Sequence, residues 1–150
     1  MSNVLNPWGD NTYDSRPIVW AYRDVTNQSL SGGAWNTIVF NNNSTLQGAA
    51  YNPTTGVVTV QKTGWYKVHA KVLLAGYPAT NQGQLRILAN SSGQTVDLRI
   101  HHITFDMLLS GDVLLFCGAG DTLSVQVYAD AAASVRTGAD VTCLQIVRVA

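Results

Sequence analysis

The clearest alternation of apolar and polar positions along the chain lies between Tyr51 and Leu74. Val57, Val58, Thr59 and Val60 are all β-branched, which suits a pleated strand. From Gly64 onward Tyr66, Val68, Ala70, Val72 and Leu74 share one parity, and Trp65, Lys67, His69 and Lys71 share the other. Successive strand side chains point to opposite faces, so the spacing predicts a strand whose Tyr66-to-Leu74 face is core. Ahead of these runs stands Asn52-Pro53-Thr54-Thr55-Gly56. Pro53 fixes its own φ, Asn52 is pushed towards extended geometry, and Gly56 is free to take positive φ, so a turn ends there.

The same reading gives a short strand over 17–22 that is apolar on both faces, a polar loop over 24–34, a strand over 35–40 and an Asn-rich turn over 41–45. A loop over 76–83 follows, then a hairpin of 84–89 with 94–103 about Asn90-Ser91-Ser92-Gly93. Val96, Leu98 and Ile100 differ in parity from Ile103, Phe105 and Met107, which predicts a bulge or break near His101-His102. Ser110-Gly111-Asp112 reads as a turn into 113–117, again apolar on both faces. Gly118-Ala119-Gly120-Asp121 turns the chain back into Leu123, Val125 and Val127, and a last strand covers 141–149.

Roughly ten short strands and no helix predict an all-β chain, a two-sheet antiparallel sandwich or jelly roll over 17–150. Strands greasy on both sides predict that one sheet is covered again by a sister subunit. Residues 1–16 form an arm: Pro7 and Gly9 break any periodicity, while Val4, Leu5, Trp8 and Tyr13 offer apolar anchors to a partner.

Composition sharpens this picture. At 150 residues and 46% hydrophobic content the chain makes one domain. It contains no Glu and has Lys only at 62, 67 and 71, which withdraws the best solvent-face helix formers. With 12% charged residues and zero formal net charge, no broad field exists to hold nucleic acid or an anionic bilayer. No signal peptide and no membrane-spanning stretch is expected. Cys117 and Cys143 fall in strand patterns and are expected to be buried free thiols, in a protein folded in a reducing compartment.

Candidate chemistry is sparse. His101 and His102 are strand neighbours on opposite faces and so do not ligate one metal together. His69, flanked by Lys67 and Lys71, belongs either to a solvated strand face or to a basic ring at a three-fold axis. Asp10, Asp14, Asp112 and Asp121 adjoin Gly, Ser or Asn, where turn hydrogen bonds account for them; a calcium site at a loop is the alternative. No nucleophile elbow, phosphate loop or Cys-His nucleophile is present, so no enzyme, cofactor or metal is expected.

Three motifs in order carry a resemblance: Tyr51-Asn52-x-x-Thr55-Gly56-x-Val58-Thr59, then Gly64-x-Tyr66-x-Val68, then Leu115-x-Cys117-x-x-Gly120-Asp121-x-Leu123-x-Val125 before an apolar terminal strand. Over 17–150 the chain resembles the jelly roll of the tumour necrosis factor and complement globular-head superfamily. The resemblance implies a homotrimer, with the sheet of the first, last and Gly-x-Tyr strands turned inward. It places Ile18, Trp20, Tyr22, Trp65, Lys67, His69, Leu115 and Phe116 at the interface. Lacking a collagen-like stalk, leader or anchor, the chain looks more like a bacteriophage or other virion protein made in the host cytoplasm. The expected role is a trimeric capsid decoration (cement) protein, attached to the major capsid protein or neighbouring virion subunits through the arm. The alternative is a receptor- or glycan-binding head of a tail fibre or spike, using loops 27–33, 41–45 and 76–83 with Trp35 and Tyr77.

Overall fold

The computed structural model describes residues 18–45, 48–77, 82–90, 92–100 and 105–149. Among them lie thirteen strands in chain order: β1 (Val19–Tyr22), β2 (Gln28–Leu30), β3 (Ala34–Thr37), β4 (Asn42–Thr45), β5 (Ala49–Asn52), β6 (Val57–Val60), β7 (Gly64–Tyr77), β8 (Gln82–Ala89), β9 (Ser92–Ile100), β10 (Phe105–Cys117), β11 (Thr122–Ala129), β12 (Ala133–Val135) and β13 (Cys143–Arg148). All described pairings are antiparallel, and two sheets result. The chain is an all-β jelly-roll sandwich.

Each sheet is built on one strand whose edge is shared by two shorter ones. In the first sheet β10 runs along one edge of β7, while β13 and then β12 divide the other; β1 and β4 continue beyond β13, and β2 beyond β12. In the second, β8 and β9 lie on one side of β11, while β6 and β3 divide the other, with β5 beyond β6. The core fills the space between. Tyr66, Val68, Ala70, Val72 and Leu74 of β7 are fully buried there, with Leu85, Ile87, Leu123, Val125 and Val127 of the second sheet. The alternation along the Gly-x-Tyr strand thus lies as its spacing predicts.

The turn over 52–56 is also as predicted: Gly56 takes φ +75°, the Asn52 carboxamide accepts from the Thr54 and Thr55 amides, and β5 pairs with β6. Tyr51 ties this hairpin to the rest, because its hydroxyl accepts the Phe40 amide at 2.8 Å. Burial, only partly offset by that bond and by the Arg23 charge, pushes the Tyr51 phenol up to about 12.

Three expectations are corrected. The 24–34 loop contains β2, whose Leu30 is buried against the core. Residues 42–45 of the Asn-rich stretch form β4, since pairing along β1 outweighs their turn propensity. Ser110-Gly111-Asp112 makes no turn: β10 runs straight through it. The glycine serves a close approach instead, because a Cβ at Gly111 would stand 2.8 Å from Val96 Cβ and 2.9 Å from its carbonyl oxygen. The bulge expected near His101-His102 lies outside the described residues. Two others occur nearby, where the β8–β9 register shifts between Leu85 and Arg86 and the β7–β10 register between Phe105 and Met107.

Gly111→Ala should destabilise the chain by about 1–3 kcal/mol, as overpacking does. Adding Val96→Ala should restore only part, since it removes the Cγ2 contact at 2.9 Å and leaves the Cβ and carbonyl of residue 96 in place; urea midpoints of the three variants check both statements. A second expectation follows from Tyr51, whose native pKa lies above that of the unfolded chain. The unfolded chain releases this proton first as pH rises, so stability is full below about pH 10 and falls towards pH 12. Urea midpoints across that window should fall less steeply in Tyr51→Phe than in the parent.

Candidate functional site

The outer face of the first sheet collects the chemistry that the core excludes. Pairing sets Trp65 opposite Phe116, Lys67 between Leu114 and Val147, His69 between Asp112 and Gln145, and Lys71 between Ser110 and Cys143. Trp20 lies beyond Gln145 and Tyr22 beyond Cys143. Of the seven large hydrophobic side chains exposed among the described residues, five stand on this face: Phe116 (59%), Leu114 (56%), Trp65 (43%), Leu108 and Val149. Phe116, Leu114, Trp65 and Val149 gather at one end and Leu108 stands at the other, and exposed apolar surface of this kind marks an interaction site more often than a solvated sheet.

Its rings are arranged against one another. Trp65 and Phe116 meet edge to face, with centroids 5.4 Å apart and planes at 68°, a favourable aromatic geometry. Trp20 and Tyr22 are both half-buried and tilted at 48°, 6.5 Å apart. Across the middle of the face, His69 Nδ1 and Asp112 Oδ1 are paired at 2.5 Å. The Lys71 ammonium donates to the Asp140 carbonyl at 2.9 Å. Cys143 lies on this side of the sheet but is covered, and Cys117 is inside; neither is in a disulfide. Burial pushes both thiols up from their ordinary range, helped at Cys117 by the Asp121 charge; at Cys143 Lys71 lowers it and Asp140 raises it.

Trp20, Tyr22, Trp65, Lys67, His69 and Phe116 therefore share one face. Ile18 and Leu115 do not belong with them: Ile18 is buried in the core cluster and Leu115 packs against it. Strand parity decides the second case, since Leu115 pairs with the inward Tyr66 and its neighbour Leu114 points out. Leu114, Leu108, Val147 and Val149 were the members that sequence reasoning missed, although all share parity with Phe116 or with the outward positions of the last strand. The arm residues Val4, Leu5, Trp8 and Tyr13 lie outside the described residues, as do Asp10, Asp14, His101 and His102.

Of the loops considered for a glycan, 27–33 and 41–45 are bonded to their own chain, and residues 78–81 of the third lie outside the described residues. Asn41 exchanges two hydrogen bonds with the Asp24 backbone, and Asn36 bonds the Ser31 amide and carbonyl. Trp35 stands on β3, on the outer face of the second sheet, and not in a loop. Asp121 accepts the Gly118 amide at 2.8 Å within its turn. Among the described residues no three His, Cys, Asp or Glu side chains converge on a metal site, and no helix is long and apolar enough to cross a membrane.

The class of fold these features define is the jelly roll shared by tumour necrosis factor ligands and complement globular heads. Solved structures similar to it include Eiger TNF from S. frugiperda, with TM-score 0.62 and 19% identity over 90% of this chain and 94% of that one. Murine APRIL gives 0.59 and 17%, over 87% and 98%. The globular domain of zebrafish complement 1qA gives 0.64 and 12%, over 90% and 98%. These likenesses concern the fold. No protein-family model and no curated protein matches the sequence.

Because the thiolate is the reactive species, neither thiol should react with Ellman's reagent in the native chain near neutral pH. Two thiols per chain should appear once guanidinium unfolds it. Rapid native modification at either position would contradict the burial described.

Proposed function

We propose that the chain is a non-enzymatic structural protein that assembles as a homotrimer through the outer face of the first sheet. The homotrimer decorates a virion shell, attached through residues 1–16 to the major capsid protein or neighbouring subunits. The observation that carries this reading is the exposure of Phe116, Leu114 and Trp65 side by side on one sheet. Complete burial of each contributes up to roughly 1.5–3 kcal/mol. Association costs an estimated ~4–15 kcal/mol, so a patch this size repeated on each copy is of the right order to hold an assembly. The solved structures similar to this chain support the jelly-roll fold on which the reading is built. Trp8 and Tyr13 supply the kind of aromatic anchor that dominates binding energy at interfaces.

Sedimentation of the full chain should give a species near three times 16.1 kDa. Leu114→Asp with Phe116→Asp should yield monomers with an unchanged far-ultraviolet spectrum. A parent protein that sediments as a lone 16.1 kDa species would overturn the assembly. Deleting residues 1–16 should abolish particle attachment while leaving the trimer, and Trp8→Ala should weaken attachment by about 2 kcal/mol or more. Undiminished attachment of the deletion variant would reject the arm as the tether.

A further inference from the structure

The outer face of the second sheet has a different character. Pairing places Gln84, Tyr128 and Trp35 in one row across β8, β11 and β3, and Arg86, Gln126 and Thr37 in the next. The Arg86 guanidinium lies 3.9 Å from the centroid of the Trp35 ring. Its Nε and Nη2 both donate to Gln126 Oε1, at 2.9 and 2.6 Å, and Gln126 Nε2 donates to Thr37 Oγ1 at 3.2 Å. The Trp35 and Tyr128 rings are 5.7 Å apart and tilted at 56°. All six side chains are half-buried, so the stack and the hydrogen-bonded chain hold them in place. Among the outward side chains of these three strands, Arg86 is the one charged group.

We infer that this face binds a carboxylate-bearing saccharide. Tyr128, packed against the indole that carries Arg86, offers apolar surface to the C–H face of a pyranose, while carboxamides and a hydroxyl offer donors and acceptors to its hydroxyl groups. Arg86 supplies the charge complementarity: two of its nitrogens are held by Gln126, which fixes the guanidinium plane and leaves Nη1 for a sugar carboxylate. Neighbouring strands lie about 4.8 Å apart, so the row from Gln84 to Trp35 spans about 10 Å, the reach of a disaccharide. A peptide that adds to a sheet as a further strand would use an open edge and not this face. The surface is distinct from the loops at the ends of the sandwich, and the inference does not rest on the homotrimer.

The test is titration of the isotope-labelled full chain with tetragalacturonate, followed by amide and indole NMR signals. Maltotetraose, sodium acetate and tetraglutamate serve as comparisons. Saturable shifts of the Trp35 indole N–H and of amides in β3, β8 and β11 are expected with tetragalacturonate. Arg86→Gln, which keeps a donor towards Gln126, should reduce that affinity at least tenfold, to the level of maltotetraose. Tyr128→Ala should weaken both sugars, and the same spectra report whether either variant is folded. Shifts confined to other surfaces, or no saturable shift with tetragalacturonate, would overturn the inference. Acetate producing the same shifts at equal carboxylate concentration would reduce the site to an anion contact, and equal affinity for tetraglutamate would overturn the saccharide assignment.

Discussion

The pleat of β7 is the constraint from which the rest of the molecule follows. Over fourteen residues it sends Tyr66, Val68, Ala70, Val72 and Leu74 into the core and Trp65, Lys67, His69 and Lys71 outward. Its neighbours are held in register by backbone pairing, so they inherit the division: on β10, Val113 and Leu109 turn in with Val68 and Val72, while Leu114 and Phe116 turn out with Lys67 and Trp65. A shift of register by one residue would exchange the two sets, burying the lysines and exposing the core. The short bond from the Tyr66 hydroxyl to the Lys62 carbonyl fixes the start of the strand, and the phenol is buried with its pKa raised by desolvation.

A second, quieter device is the use of carboxamides in place of backbone pairing. Gln28 donates to the Thr37 carbonyl and accepts the Val39 amide, so one side chain continues a ladder that no strand completes. Asn41 does the same for Asp24 just before the start of β4, and Asn90 accepts the Thr122 amide beside the β8–β9 turn. Buried or half-buried backbone groups must find partners, and short strands leave many at their ends. The abundance of Asn and Gln in this chain is in part an answer to that demand.

This explains which parts of the fold were legible in the sequence. Long alternating runs such as β7 and β11, and turns built on Gly56 and Gly120, were legible because their signals are local. β2 and β4 were not, because they are strands through tertiary pairing and through carboxamide hydrogen bonds that reach across the chain. Gly111 misled for a related reason: a glycine required by the side chain of another strand looks the same in sequence as one required by a turn. The outer face was legible in outline through Trp65 and Phe116. The run Val113 to Cys117 did not by itself say whether Leu114 or Leu115 was outside; its pairing with β7 decides that.

The two outer faces then differ in what limits them. On the first sheet the exposed rings and aliphatic side chains supply free energy to any covering surface without choosing among partners. The polar row through its centre supplies the choice. A copy placed out of register would set the apolar ends against the Lys67, Lys71 and His69–Asp112 row, and burying charges without partners is costly. In the proposed homotrimer, that row therefore fixes orientation while Phe116, Leu114 and Trp65 hold the copies together. In the saccharide site proposed on the second sheet, Arg86 already has its guanidinium plane held by Gln126, so binding would require little further ordering.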